Sequence, residues 1–123
     1  MLVEPGLVLH ADREKLAQAL ANLLDNAAKF TAAGAAVEVR GELREGEYVV
    51  SVRDHGPGIP PEHWDRIFER FYKVDPARSR EVPGSGLGLA ITKHLILLMG
   101  GRVWTEGATG GGQLFAVAIP ANP

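Results

Sequence analysis

Hydrophobic and polar positions follow two different periods along the chain, and these periods predict where its helices and strands lie. Leucine and alanine recur at helical spacing over 13–29, which predicts an amphipathic helix with Asp12 as its N-cap. A second helix is predicted over about 87–99, because two glycines follow it and glycine commonly ends helices. A short third helix is predicted to begin at Pro60-Pro61 and to run toward Ile67-Phe68.

Runs that are apolar or that alternate between apolar and polar residues predict about five strands. Between the second and third of these runs, Glu45-Gly46 predicts a hairpin turn. The pattern therefore predicts an α+β or mixed α/β sandwich with about five strands and three helices. The predicted strands cover 7–10, 37–43, 48–54, 102–106 and 113–119.

Composition narrows the class of protein. The 123 residues fit one domain over 1–123, and the ordinary share of hydrophobic residues, 46%, favours a globular fold. Thirteen Lys and Arg against fifteen Asp and Glu give a net charge of −2, which argues against nucleic acid as a partner. Because the sequence contains no cysteine, disulfides, thiolate zinc sites and cysteine nucleophiles are excluded. The sequence also has no apolar run of the roughly 18 residues that a membrane span needs.

The first predicted helix has a polar row beside its leucine stripe. Asn22, Asn26 and Lys29 are spaced i, i+4 and i+7, so they fall within a narrow arc of the helix. An amide oxygen is a hard ligand for Mg²⁺ and lysine is a point charge for phosphate, so the row could serve a metal-bound polyphosphate. The alternative is the ordinary polar face of an amphipathic helix.

Asp54 ends a predicted strand on the same face as Val50 and Val52, directly before Gly56-Pro57-Gly58. A buried carboxylate needs hydrogen-bond donors, and the exocyclic amine of adenine would be one, whereas guanine presents a carbonyl there. The alternative is that Asp54 accepts hydrogen bonds from the amides of the glycine turn.

A second glycine cluster, Gly84-Ser85-Gly86-Leu87-Gly88, precedes the last predicted helix. Small residues before a helix N-terminus are typical of a phosphate cradle. The spacing matches neither a P-loop nor the GxGxxG fingerprint, so both are excluded. A glycine-rich turn without a ligand is the alternative.

The order of these segments resembles the catalytic, ATP-binding domain of two-component sensor histidine kinases. Its N, G1, F and G2 boxes are similar to residues 18–30, 54–59, 67–73 and 84–91, and residues 99–120 match the usual end of that domain. The resemblance covers nearly the whole chain. It implies the fold shared with gyrase-type and mismatch-repair ATPases: an α+β two-layer sandwich with a mixed, mostly antiparallel five-stranded sheet packed by about three helices.

The resemblance also implies a set of site residues for ATP and Mg²⁺. Asn26 would bind Mg²⁺, Asn22 and Lys29 would line the phosphates as catalytic residues, and Asp54 would accept from the adenine amine. Residues 74–85 would form a flexible ATP lid. The other nucleotide contacts that the resemblance implies are Phe30, Gly56, Gly58, Ile59, Tyr72, Lys73, Arg78, Arg80, Ser85, Gly86, Leu87, Gly88, Leu89 and Gln113.

The sequence departs from the related patterns at two positions. Gyrase-type relatives have a glutamate general base where this chain has Asn22, and because an amide cannot take a proton from water, rapid ATP hydrolysis is not expected. Many relatives have a threonine where this chain has Gln113, a position that we expect to face the adenine pocket.

The implied function is donation of the γ-phosphoryl group of ATP to a histidine on a separate dimerisation domain of the same kinase, with a response regulator downstream. None of the four histidines, His10, His55, His63 and His94, lies in an acceptor motif. We therefore expect a domain excised from a longer kinase, which would be monomeric without the dimerisation domain. We expect it to come from the cytoplasmic part of a membrane-bound sensor. Two alternatives are a nucleotide-binding module without transfer and a relative of anti-sigma serine kinases. Residues 68–71, within the F box, favour the histidine kinase over the serine kinase.

Overall fold

A computed structural model describes residues 13–31, 35–72 and 87–120 of the chain. The predicted strand over 7–10, the predicted cap Asp12 and the predicted lid over 74–85 lie outside these described residues.

Two α-helices form one layer of the molecule. Helix α1 spans Arg13–Phe30 and helix α2 spans Gly88–Leu98, close to the two long helices that the periodicity predicts. In the described part of the chain no helix has both the length and the apolar character of a membrane span. Helix α2 ends in a Schellman motif, because the Gly101 N–H donates to Ile96 O and the Gly100 N–H to Leu97 O. A Cβ on Gly101 would lie 2.2 Å from Ala118 O, so only glycine allows this helix end to approach the sheet so closely.

Four strands form the second layer, and each pairing among them is antiparallel. They are β1 (Glu38–Arg44), β2 (Glu47–Arg53), β3 (Arg102–Gly107) and β4 (Gln113–Pro120), in the order β1-β2-β4-β3. Glu45 and Gly46 join β1 to β2 with φ values of 50° and 80°, as in the tight turns whose twist suits a hairpin. The predicted hairpin is therefore confirmed.

The described residues do not confirm the predicted five strands and three helices: they contain four strands and two α-helices. The segment predicted as a third helix is a 3-10 helix over Pro61–His63, followed by turns. Its bonds mostly join residues three apart, such as Trp64 N to Pro61 O at 3.1 Å. So short a segment gains too few hydrogen bonds to repay the nucleation of an α-helix, and 3-10 geometry is common in such pieces.

The core lies between the inner face of the sheet and the two helices. From the sheet it receives Val52, Phe115 and Val117, and from the helices Leu23 and Ile96, all almost completely buried. The β2–β4 register pairs Arg53, the last residue of β2, with Leu114, so Asp54, which follows β2, lies beside Gln113, the first residue of β4. The packing of the sheet therefore sets the position of Asp54 at the rim of the core.

Candidate functional site

Asp54 follows the last residue of β2, and its carboxylate is held by two backbone donors. The residue is only 3% exposed. Its Oδ1 accepts from the N–H of Gly56 and from the N–H of Gln113, each at 3.0 Å. Among the described residues no donor reaches Oδ2, so the two oxygens of this carboxylate differ in their surroundings. The turn interaction that the sequence offered as an alternative is present in the Gly56 bond, whereas the second bond to Oδ1 comes from β4.

The turn between β3 and β4 packs directly against Asp54. Gly112 has a φ of +87°, and a Cβ there would lie 2.1 Å from Asp54 O. A Cβ on Gly58 would be 3.5 Å from Gly112 O, so the loop over 54–59 also lies against this turn. Because these two glycines have no side chains to separate the two loops, the backbones of the loops are in direct contact. This contact fixes the distance between the loops.

Arg53 holds the same turn from the opposite face of the sheet. Its Nη2 donates to Thr109 O at 2.6 Å and to Gly111 O at 3.3 Å, and its Nη1 lies 3.4 Å from a carboxylate oxygen of Glu38. The sequence analysis did not identify Arg53. The alternation along β2 indicates only that the side chain of Arg53 points away from the core. The backbone carbonyls that Arg53 contacts lie more than fifty positions away, and such contacts leave no pattern in the sequence.

Gln113 connects the sheet to the loop over 54–59. It is 1% exposed, its Oε1 accepts from the Ile59 N–H at 2.9 Å, and its Nε2 donates to Thr105 Oγ1 at 2.8 Å. The Thr105 hydroxyl donates in turn to Leu114 O, and the indole N–H of Trp64 donates to Ile59 O, both at 2.8 Å. The expectation that Gln113 faces a nucleotide base stays a prediction.

The polar row of α1 lies near both the Asp54 loop and the start of α2. Asn22 Nδ2 is 3.4 Å from Gly88 O, and the Thr31 hydroxyl oxygen accepts from the His55 N–H at 3.1 Å. Asn26 is half-buried, and its Nδ2 is buried without a hydrogen-bond partner. Lys29 lies 3.4 Å from its i−4 neighbour, Asp25, on the solvent side.

The first turn of α2 has backbone N–H groups without an acceptor inside the helix, as every α-helix does. The first intrahelical bond of α2 runs from Ile91 N to Leu87 O, so the N–H groups of Gly88 and Leu89 precede it. Thr92 fixes this turn against α1, because its hydroxyl lies 3.0 Å from Gly88 O and 3.4 Å from Ala19 O. The positive end of the α2 dipole therefore lies beside Asn22.

A small polar cluster surrounds Tyr72, which lies two positions before the predicted lid over 74–85. The Tyr72 hydroxyl is hydrogen-bonded to His63 Nδ1, and the Arg66 guanidinium lies 4.8 Å from the centre of the tyrosine ring. The Glu69 carboxylate accepts from Arg66 Nε at 2.8 Å, which raises the pKa of Arg66. The neighbouring Phe71 has a φ of +62° and a 65% exposed side chain.

Hydrogen bonds join the segments of the predicted site in pairs: Asn22 of α1 to Gly88 at the start of α2, Thr31 just after α1 to the 54–59 loop, and that loop to Gln113. Phe30 ends α1, but its side chain is outside the description. The predicted contacts that lie wholly outside the described residues are Lys73, Arg78, Arg80, Ser85 and Gly86.

Comparison with known proteins identifies the family of the chain. Residues 11–123 match the family model described as histidine kinase-, DNA gyrase B- and HSP90-like ATPase. The solved structure of a mycobacterial sensor histidine kinase, MprB, superposes with a TM-score of 0.83 at 39% identity, over 93% of this chain and 77% of the other. The chain belongs to this ATPase family, and within it to the ATP-binding catalytic domains of histidine kinases.

Two further relatives are much longer than this chain. Sensor histidine kinase WalK of Bacillus subtilis is 36% identical over 121 residues, which are 97% of this chain and 20% of WalK. Full-length ShkA, solved in complex with AMPPNP, is 40% identical with a TM-score of 0.73, over 86% of this chain and 21% of that one. The chain therefore spans about one fifth of the length of each of these proteins.

Proposed function

We propose that this chain binds Mg·ATP beside Asp54 and donates its γ-phosphoryl group to a histidine on a separate dimerisation domain of the same kinase. The observation that carries the proposal is the buried Asp54 carboxylate, with Oδ1 held by two backbone N–H groups and Oδ2 left without a donor from the described residues. Because the chain belongs to an ATPase family, ATP is the nucleotide that we expect at this site. As a carboxylate oxygen, Oδ2 is an acceptor only, so it suits the amine of adenine and repels the carbonyl of guanine.

Mg²⁺ fits the polar row of α1. The described residues contain no cluster of three histidine, aspartate or glutamate side chains, so the protein would supply few ligands and the phosphates and water the rest, as is usual for Mg²⁺. Asn26 has a buried amide nitrogen without a partner. Rotation of the side-chain amide would exchange the positions of its nitrogen and its oxygen, and the oxygen could then bind a cation. Asn26 is therefore the residue that would hold the ion. Bound there, Mg²⁺ would neutralise phosphate charge.

The phosphates would lie between Lys29 and the N–H groups of Gly88 and Leu89. Phosphoryl transfer depends chiefly on positioning and charge neutralisation, which cationic side chains and helix N-termini provide. Asn22, which reaches Gly88 O, would hold the cradle against α1 but cannot act as a general base. The γ-phosphoryl group would therefore be kept for the histidine. Lys73, Arg78, Arg80 and the lid over 74–85 would contribute further phosphate contacts.

The names of the relatives support the signalling part of the proposal. WalK and MprB are named sensor histidine kinases, so we infer a response regulator downstream and a cytoplasmic position for this domain in a membrane-bound sensor. The described residues themselves include no membrane-spanning helix.

Calorimetric titration tests the binding step. ADP and a non-hydrolysable ATP analogue are titrated with and without Mg²⁺, and GTP is the control. We expect saturable binding of the adenine nucleotides that Mg²⁺ strengthens, with GTP excluded. Equal binding of GTP, or no binding at all, would contradict the proposed site.

A second experiment tests the transfer step. The chain is mixed with a separate dimerisation domain that bears a histidine and with ATP labelled at the γ position. Acid-labile label on the histidine is expected. Tight binding of ATP without label on the acceptor would instead support a nucleotide-binding module without transfer.

A further inference from the structure

Gln113 bonds to both ends of the loop over 54–59. At the beginning of the loop its backbone N–H donates to Asp54 Oδ1, and at the end its side-chain Oε1 accepts from the Ile59 N–H. The Asp54 N–H also donates to Gln113 O at 2.9 Å, so three hydrogen bonds join this residue to the loop. The distance between the two ends of the loop is therefore set by one residue.

The side chain of Gln113 is in turn oriented from β3. Its Nε2 donates to Thr105 Oγ1, whose own hydroxyl donates to Leu114 O, and this direction leaves Oε1 of Gln113 pointing to Ile59. Ile59 is held on its other side as well, because its carbonyl, in the next peptide group, accepts from the indole N–H of Trp64. Hydrogen bonds that run in one direction through a buried network strengthen one another, so each member favours the orientation of the next.

The same bonds argue against direct contact between the Gln113 side chain and a ligand. The residue is 1% exposed, and both its oxygen and its nitrogen already have partners. A side chain in this position acts on a ligand through the residues it holds.

We propose that Gln113 is a positioning residue, which holds Asp54 and Ile59 at the spacing that an adenine base requires. This inference rests on the proposed nucleotide site. Without the side-chain amide, the half-buried Ile59 N–H would lose its acceptor inside the protein, and the loop could then shift to bring this donor to another acceptor. The loop would then move relative to Asp54, and discrimination at the purine 6-position would fall together with affinity.

The test is Gln113→Met, which keeps the length of the side chain and removes both polar atoms. ADP affinity is measured beside that of inosine diphosphate, which has a carbonyl where adenine has its amine. We expect ADP to bind roughly tenfold more weakly and the ADP-to-inosine-diphosphate ratio to fall by a similar factor. Amide exchange at Ile59, measured without nucleotide, should become faster. A purely structural role would lower the melting temperature and leave the ratio unchanged well below that temperature.

A matched pair at Thr105 keeps the proposal testable if Gln113→Met does not fold. Thr105→Val removes the acceptor of Gln113 Nε2, whereas Thr105→Ser keeps the hydroxyl. We expect Thr105→Val to reduce ADP affinity about threefold or more and Thr105→Ser to restore it to about the wild-type value. Equal ADP affinity of the two Thr105 variants, or an unchanged ADP-to-inosine-diphosphate ratio in Gln113→Met, would overturn the inference about Gln113. If the wild-type chain still binds ADP, the proposed nucleotide site is upheld. Failure of the wild-type chain to bind ADP would overturn both.

Discussion

At the scale of single residues, Asp54 has a carboxylate whose two oxygens differ in their surroundings. Two backbone N–H groups donate to Oδ1, and because a backbone N–H can only donate, the atom at this position must be an acceptor. An asparagine at this position would therefore place its oxygen at Oδ1 and its NH₂ group at Oδ2. The surroundings of the residue determine which end of the amide would meet the base.

We predict that Asp54→Asn weakens ADP binding by about 1–3 kcal/mol, because a donor would then face the donor amine of adenine. GDP should gain relative to ADP, since the new donor suits a carbonyl. Titration calorimetry with both nucleotides measures the two effects. Glu47→Gln, the same chemical change at the opposite end of β2, is the control and should bind as the wild type does. Unchanged ADP affinity in Asp54→Asn would exclude adenine recognition by this carboxylate.

Gly112 gives a second prediction at this scale. Gly112→Ala should lower the free energy of unfolding by about 1–3 kcal/mol more than Gly111→Ala, because overpacking adds to backbone strain. Both positions have a positive φ, but a Cβ at Gly111 meets no atom within 4 Å, whereas at Gly112 it would lie 2.1 Å from Asp54 O. Urea unfolding of the two variants measures the difference. Equal losses would mean that the close backbone approach has no energetic weight.

At the scale of elements, Arg53 connects β2 to the turn between β3 and β4. We predict that Arg53→Met lowers the free energy of unfolding by about 1–2 kcal/mol, because it removes the charged donor to two carbonyls and keeps the stem of the side chain. Arg44→Met is the control, since Arg44 lies exposed on β1, where its guanidinium pairs with the exposed Glu42 of the same strand. Chemical unfolding of both variants measures the free energy of unfolding. If Arg44→Met loses as much of it as Arg53→Met, the bonds of Arg53 to the turn have no special weight.

The elements also show how far local pattern determines structure. Helices α1 and α2 and the β1–β2 hairpin follow from periodicity, capping glycines and turn residues, all of which act over a few positions. The segment after Pro60 differs from its prediction, since the indole of Trp64 bonds to Ile59 O and short-range turns replace an α-helix. Such side-chain contacts have no period, and a proline pair alone did not distinguish a 3-10 helix from an α-helix.

At the scale of the whole molecule, the sequence predicted the residue types of the site but not all of their connections. Asp54, Asn22 and Asn26 were identified by their spacing and by resemblance. The bonds of Gln113 to Asp54 and Ile59 join positions 59 and 54 apart in the chain, and those of Arg53 are similarly distant. They exist because β4 pairs with β2, which only the folded sheet determines.

Ligand binding should stabilise the whole domain. At a free ADP concentration of 100 times the dissociation constant, the gain is about 2.7 kcal/mol. We predict that Asn26→Ala loses the extra increment in melting temperature that Mg²⁺ adds to ADP and keeps the increment from ADP alone. Thermal unfolding with ADP, with and without Mg²⁺, measures both increments. Gln18→Ala, at an exposed position of the same helix, is the control; a full Mg²⁺ increment in Asn26→Ala would place the ion elsewhere.

The hairpin at Glu45-Gly46 lies at the opposite end of β2 from Asp54. Seven residues of strand separate the two, which is about 24 Å at the usual rise of an antiparallel strand. Because the sequence has no cysteine, a single cysteine introduced at the neighbouring Arg44 would be the only thiol available for chemical labelling. A fluorophore attached there would stand clear of the proposed pocket, so the domain could be labelled with all of its proposed binding residues unaltered.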